Sequence, residues 1–343
     1  AVVGIGSNGK ICDIIREILL DKQAVCSYGA KTELSMEGGR IISTEPFYAY
    51  IKIAEGCSNN CTYCAIPSIR GKYRSRRMED IVKEARWLAE NGVTELVVVA
   101  QDTTRYGEDI YGKSMLPELL TALCEIDGFK WIRTLYCYPE RITDELLDVI
   151  AKEDKLVKYL DMPIQHCNKT ILKRMNRHGD RETLTALIKK IREKIPNVTL
   201  RTTLITGFPG ETEEQFEELC EFVKEIRFER LGCFAYSPEE GTPAEKFEDQ
   251  VPLKDRERRA EIIMEEQMII SDSFNEAALD SEVEVVCEGF DRYAECYYGR
   301  SQADAPEIDG KIFFLSEDKV RVGEYVKVKI DDTMDYDLIG SKM

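Results

Sequence analysis

The chain has 343 residues, 43% of them hydrophobic, and a net charge of −17, enough length for two or three domains with sizeable cores. No apolar run approaches the ~18 residues a membrane span needs. The acid excess argues against generic binding of nucleic acid, whose phosphates call for Lys and Arg. Twelve cysteines without a secretory leader fit a reducing cytoplasm better than a disulfide scaffold. The opening Ala1-Val-Val-Gly-Ile-Gly lacks an initiator Met and reads as a fragment or a processed chain.

Residues 1–30 read as a glycine turn and one helix over 11–20, too short for a domain. Residues 31–46, polar with Gly38 and Gly39, read as a linker. From Phe47 to about Pro243, strand-like runs at 51–54, 95–100, 131–136, 157–162, 198–205 and 231–236 alternate with amphipathic segments. Ile81, Ala85, Leu88 and Ala89 share one helical face, with Ser75 as cap and Gly92 as stop. Asp180 opens a helix with Leu184, Leu187, Ile188 and Ile191 on its buried stripe. Thr212 and Gln215 form a capping box before Phe216, Leu219, Cys220, Val223 and Ile226. Six strands alternating with helices predict an α/β fold with a parallel sheet. Right-handed crossovers curl such a sheet into a barrel or partial barrel, a TIM-like (βα)6 unit. Its chemistry belongs at the C-terminal strand ends. Residues 255–275 read as one long charged helix on the barrel's outside. Beyond Leu279, short runs at 283–286, 294–298, 311–315 and 325–330, split by glycines, predict a small antiparallel, OB-like β-barrel of about 65 residues.

Cys57, Cys61 and Cys64 follow the first strand directly, in C-x3-C-x2-C spacing. Zinc would want a fourth Cys or His at short spacing, and Cys124, Cys137 and His166 lie far along the chain. Three soft thiolates on one tight loop suit an iron–sulfur cluster, normally held by four. With three, one iron is left open to bind something else. The basic stretch Arg70, Lys72, Arg74, Arg76 and Arg77 reads equally as a solvated helix entry or as a face for an anionic cofactor or partner. Other strand ends offer Gln101, Asp102, Thr103 and Thr104, then Asp161 to His166, then Arg201 and Thr203 with the turn Gly207-Phe-Pro-Gly210-Glu211. Backbone N–H groups of that turn could approach a ligand. Around one rim these groups describe a pocket for a polar, zwitterionic ligand. His166 and His178 read as turn or solvent-edge residues, with His166 and Asp161 kept as catalytic candidates. Cys124, Cys137, Cys167, Cys220, Cys233, Cys287 and Cys296 read as small buried hydrophobes; Cys137 and Cys167 lie near strand ends, where a pocket role stays open.

With Tyr63 before its last cysteine, the triad resembles the radical S-adenosylmethionine enzymes. Ile51-Lys-Ile-Ala-Glu-Gly56, Ile66-Pro-Ser-Ile-Arg-Gly71, Tyr159-Leu-Asp-Met-Pro-Ile-Gln-His166, Leu172-Lys-Arg-Met-Asn-Arg177 and the run from Gly299 to Gly310 resemble the methylthiotransferases, end to end. The first, second and last of these runs are similar to the branch that modifies an aspartate of small-subunit ribosomal protein twelve. The resemblance implies a radical S-adenosylmethionine domain over 47–276 and a TRAM domain over 277–343. Residues 1–30 would then be the remnant of an N-terminal methylthiotransferase domain.

The resemblance also implies a [4Fe-4S] cluster on Cys57, Cys61 and Cys64 whose open iron binds the amino and carboxylate groups of S-adenosylmethionine. One-electron cleavage yields a 5′-deoxyadenosyl radical that takes hydrogen from the aspartate β-carbon, and a methylthio group is inserted. By position, Tyr63 lies beside the adenine, Gln101 and Asp102 meet the methionine amino group, Arg201 meets its carboxylate, and Gly207 and Gly210 lie near the adenine. The family's second cluster sits in the N-terminal domain, and Cys12 and Cys26 do not match its ligand positions. One cluster is therefore expected here, the second only in a full-length protein. Implied partners are ribosomal protein twelve, met by the TRAM domain, and a cytoplasmic electron donor such as a flavodoxin or ferredoxin.

The alternatives are the branch that methylthiolates a transfer-RNA adenosine and a non-enzymatic iron–sulfur scaffold or sensor. From Asp280 to Met343 there are 16 Asp and Glu against 8 Lys and Arg. That balance repels RNA and suits a basic protein.

Overall fold

The computed structural model describes residues 1–21, 24–43 and 45–343; within the expected remnant and linker, residues 22, 23 and 44 lie outside that set. The apolar runs form six short parallel strands: β1 (Tyr48–Lys52), β2 (Glu95–Val99), β3 (Trp131–Thr134), β4 (Tyr159–Asp161), β5 (Thr199–Thr206) and β6 (Arg230–Ala235). β1, β2 and β3 pair in that order, as do β4, β5 and β6. A parallel bridge from Ile132 to Leu156 joins the two halves. Spatial order thus follows chain order, each crossover moving the chain one strand along in the same direction, and the expected partial (βα)6 barrel is present.

The crossovers carry α1 (Met78–Glu90), α2 (Leu116–Cys124), α3 (Asp144–Lys152), α4 (Arg181–Lys194) and α5 (Glu213–Ile226). Their apolar stripes, including Ile81, Leu88, Leu120, Ile188 and Phe222, pack on the sheet in one large core. Capping boxes at Asp180 and Thr212 open α4 and α5 as expected. Ser75 does not cap α1. It lies in a two-residue strand, where its hydroxyl donates to Asp109 Oδ1 at 2.5 Å and accepts from the Gly107 N–H, and Arg77 is the N-cap residue. The long helix α6 (Leu253–Ala277) packs along β6 and α5.

The second unit closes on itself: β7 (Glu282–Asp291), β8 (Cys296–Arg300), β9 (Ile312–Leu315), β11 (Asp337–Lys342) and β10 (Tyr325–Met334) form a barrel in that order. Four strands were expected. β11 escaped notice because Asp337-Leu-Ile-Gly-Ser-Lys is half polar with a glycine inside. Gly340 is required there, since a Cβ would lie 2.2 Å from the Lys329 carbonyl oxygen. The barrel is also not wholly antiparallel, because β9 and β11 run parallel.

The first barrel's interior is closed at one end by the second. Tyr48, Trp131, Leu135 and Tyr159 form a core with Val286 and Ala305 of the second unit. Charged pairs cross the same seam. The buried Glu95 carboxylate binds Arg133 Nε at 3.1 Å and also Arg300, which reaches Glu288. Arg230 meets Asp304 at 2.7 Å, and the Tyr159 hydroxyl donates to Asp309 at 2.7 Å. At the N-terminus, Val2–Val3 pairs in parallel with Cys26–Ser27 around the helix Ile11–Asp21.

Candidate active site at the open end of the barrel

A cleft of about 690 Å³ opens at the C-terminal strand ends, lined by Cys57, Cys61, Cys64, Tyr63, Gln101 and Arg177 among others. The cysteine loop begins where Ala54–Glu55 pairs with Arg74–Ser75, which pinches the chain into a closed excursion. Gly56 sits at φ 77°, and a Cβ there would lie 2.4 Å from the Lys72 carbonyl oxygen, so only glycine lets the loop close. The Cys57 N–H then bonds Gly71 O at 3.2 Å.

The loop is clamped from outside by the turn at 174–176. Thr62 donates its N–H to Met175 O and its hydroxyl to Arg174 O. The Asn176 amide, on a residue at φ 57°, donates to Asn59 O and Asn60 O. The family-like run from Leu172 to Arg177 therefore holds the triad in place with its backbone and Asn176, and delivers Arg177 to the cleft. Asp102 is buried beneath the loop. It accepts from the Asn59 amide at 2.8 Å and from the Thr104 hydroxyl, so it braces the loop and does not itself line the cleft.

Of the sequence-predicted residues, the structure brings Cys57, Cys61, Cys64, Tyr63 and Gln101 together on one cleft. Gln101 Oε1 is buried there with no hydrogen-bond partner among the described residues. Tyr63 packs edge-on against Phe208, with ring centres 6.5 Å apart.

Arg201 goes elsewhere. Its guanidinium holds Asp161 at 2.9 Å and approaches Asp309 at 3.6 Å, and it lines a separate hollow of about 320 Å³ at the seam. Asp161, accepting also from the Tyr136 N–H, is a buried structural partner. Burial raises its carboxyl and Arg201 opposes the rise. The glycine turn is likewise spoken for. Glu211 accepts from the Gly207 N–H at 2.9 Å, and Gly210 donates its N–H to Asp249 O. A Cβ on Gly207 would lie 2.2 Å from Arg256 Cγ, so this glycine serves helix packing. His166 is fully buried, with Nδ1 accepting from the Asn168 N–H and Nε2 3.6 Å from Glu211. It does not line the cleft, and His178 is exposed.

Sequence reasoning missed Arg177. It is buried, donates to Pro163 O at 2.8 Å and lies 4.1 Å over the Tyr138 ring. Among the described residues it has no carboxylate partner. It sat at the end of a motif whose role was not assigned, and nothing marked its direction. Tyr136 and Gln165, at φ 61° and 69°, also line the cleft; left-handed backbone at non-glycine residues gathers at functional sites. The Tyr138 hydroxyl lies 3.9 Å from Cys61 Sγ.

The donor set fits an iron–sulfur cluster. Three thiols of one clamped loop face a cleft wide enough for a cofactor, and burial, with a smaller push from neighbouring thiols, raises the Cys57 and Cys64 thiols. Among the described residues no group of His, Cys, Asp and Glu could hold a single metal ion. The triad needs no such point, because each thiolate of a cubane site takes a different iron. Gln101 and Arg177 fit a zwitterion beside it, one as acceptor for an ammonium and the other as donor to a carboxylate.

Comparison with known proteins bears on the same features. Residues 51–223 match the Radical SAM superfamily, which implies a [4Fe-4S] cluster and S-adenosylmethionine, and residues 281–342 match the TRAM domain. The chain is 49% identical to "Ribosomal protein uS12 methylthiotransferase RimO" of Clostridium tetani, over 99% of its own length and 76% of the relative's. Against the protein of the same name from Clostridioides difficile, identity is 50% over 99% and 76%. The Escherichia coli coproporphyrinogen III oxidase HemN aligns over 66% of this chain and 52% of its own, at 21% identity and a TM-score of 0.46. No helix among the described residues is long and apolar enough to cross a membrane. The chain is a radical SAM enzyme, a methylthiotransferase with a TRAM domain, and belongs to the ribosomal protein uS12 methylthiotransferase family, RimO.

Proposed function

We propose that this chain, like the relatives it matches, methylthiolates an aspartate of ribosomal protein uS12. The observation that carries the reading is the cleft itself: three cysteines on one clamped loop share it with Gln101, whose Oε1 has no hydrogen-bond partner among the described residues, and with Arg177, which has no carboxylate partner among them. Bound there, the cluster and S-adenosylmethionine supply a 5′-deoxyadenosyl radical for hydrogen abstraction at the aspartate β-carbon. The chain's own work is to hold and to exclude. Cys57, Cys61 and Cys64 would hold the cluster through their thiolates. Gln101 accepts from the methionine ammonium, and Arg177, in place of Arg201, pairs with its carboxylate. Tyr63, backed by Phe208, flanks the adenine. Asp102, Gly207 and Gly210 act one layer out, through the loop and helix they brace.

Cys12 and Cys26 are both exposed, on a helix and a two-residue strand, and one cluster per chain is the reading we favour. Anaerobic reconstitution should give about four irons per chain; close to eight would overturn the single-cluster reading. The TRAM unit's acidity suits a basic ribosomal protein and steers its approach. It opposes the transfer-RNA alternative. Modifying a ribosomal protein is cytoplasmic work, with the electron coming from a small donor protein such as a flavodoxin or ferredoxin. The deciding experiment incubates the reconstituted full-length enzyme, S-adenosylmethionine and reductant with uS12 or with transfer RNA. Mass spectrometry should find the methylthio adduct on an aspartate of uS12. An adduct on adenosine alone, or no 5′-deoxyadenosine at all, defeats the proposal.

A further inference from the structure

One residue lining the cleft does not come from the first barrel. Ile308, on the loop between β8 and β9 of the TRAM unit, lines the main cleft and also lines the smaller seam hollow. It is the residue those two hollows share. The loop is fixed along its length. Arg133 donates to Gln302 O at 2.9 Å, Arg230 holds Asp304, the Tyr50 hydroxyl reaches Pro306 O, and Asp309 takes the Tyr159 hydroxyl and faces Arg201. Ala305 is buried in the barrel's interior core.

Such buried ionic contacts add little net stability compared with apolar packing, but they fix position. Their effect is to hold one short loop at a set height inside another domain's barrel. Directly before Ile308, Glu307 lies in left-handed backbone at φ 63°, a conformation that costs energy for a residue with a Cβ and turns the chain at the cleft's edge. Ile308 itself remains 41% exposed, so this anchoring presents an apolar side chain to the cleft instead of burying it.

We infer that the TRAM loop 301–310 is the substrate-facing wall of the catalytic cleft, and that Ile308 is a positioning residue that sets how deep the target aspartate enters. This rests on the proposed function above and adds to it: the TRAM unit shapes the reaction site as well as offering an acidic docking surface. Radical abstraction needs the donor carbon held against the acceptor, and a displacement of about 1 Å costs on the order of a hundredfold. An apolar stop beside the aspartate β-carbon supplies that constraint without a group that could react.

The test uses the full-length enzyme with uS12 carrying aspartate deuterated at the β-carbon. In abstraction the C–D bond breaks and deuterium passes to the 5′ carbon, so deuterium per 5′-deoxyadenosine reads positioning independently of sulfur insertion. Ile308→Ala and Ile308→Trp should lower that ratio by about tenfold or more and alter the KM for uS12. Iron content and melting temperature should stay at wild-type values, since a half-exposed side chain is being changed. A second readout is uS12 affinity by fluorescence anisotropy, which Ile308→Trp should weaken severalfold. If wild-type enzyme modifies uS12 and both variants match it in ratio, KM and affinity, the inference fails alone. If wild-type enzyme leaves uS12 unmodified, the proposed function fails and takes the inference with it.

Discussion

The two ends of the first barrel's interior are both polar, and they are finished differently. At the seam, guanidinium meets carboxylate repeatedly: Arg133 and Arg300 with Glu95, Arg230 with Asp304, Arg201 with Asp161. At the open end, Gln101 Oε1 lines the cleft with no hydrogen-bond partner among the described residues, and the Arg177 guanidinium, bonded to Pro163 O, has no carboxylate partner among them. A buried polar group left unpaired costs about 1–3 kcal/mol. The open end thus keeps an unpaired amide oxygen and a guanidinium without a carboxylate beside three thiols, whereas each of the seam's guanidiniums has a carboxylate in reach, even though Arg133 Nη2 and Arg230 Nε have no hydrogen-bond partner among the described residues.

The sharpest way to break this contrast is at the triad. Each of Cys57→Ser, Cys61→Ser and Cys64→Ser should reduce iron after anaerobic reconstitution to background, with the fold intact by circular dichroism. A variant that keeps wild-type iron would remove its cysteine from the ligand set. Next in size is the seam. Arg300→Ala leaves Glu95 and Glu288 facing each other without their shared cation, and should cost about 3–5 kcal/mol in urea unfolding. A loss below about 1 kcal/mol, the range of an exposed pair, would mean the seam is not held by its charges. The third comparison sets two arginines side by side. Arg177→Gln should weaken S-adenosylmethionine binding by about ten- to a hundredfold, the loss of a charge-assisted hydrogen bond, with little change in melting temperature. Arg201→Gln should do the reverse, lowering stability while affinity stays near wild type. Equal effects of both on affinity would erase the distinction drawn between the two ends.

The sequence carried the fold well because its signals were local and repeated. Alternating apolar runs and helical stripes marked all six strands, and capping residues at Asp180 and Thr212 marked two helix starts. The triad was legible because its spacing is itself the chemistry. What stayed hidden was pairing across distance. Arg201 looked like a ligand residue because it lies on a strand leading to the rim, but Asp161 and Asp309 already occupy its guanidinium, and Asp309 comes from another domain. Gly207 looked like a ligand cradle until Arg256 and Glu211 were seen to fill it. Arg177 had no periodicity to announce it. Its role depends on the preceding turn being bent by Asn176 at positive φ. Strand β11 was missed for a related reason: its glycine is explained only by the neighbouring strand it approaches.

The smallest expected effect tests reach against chemistry among the cysteines. Cys137 also lines the cleft, yet its thiol is buried and pushed up to about 12, with the Thr103 hydroxyl 3.7 Å away as partial compensation. Cys233 is likewise raised by burial to about 12. Because only the thiolate reacts appreciably with an alkylating reagent, both should resist iodoacetamide at pH 8 in the folded protein. Exposed Cys12 and Cys26 should be labelled first, and the half-exposed triad next. Reconstitution should then slow the triad alone, because its sulfurs are taken by iron while the other thiols keep their surroundings. Peptide mapping resolves the order. Early labelling of Cys137 would show its thiol open to the cleft and return it to the list of groups a ligand can meet, whereas late labelling leaves the triad as the cleft's reactive sulfur.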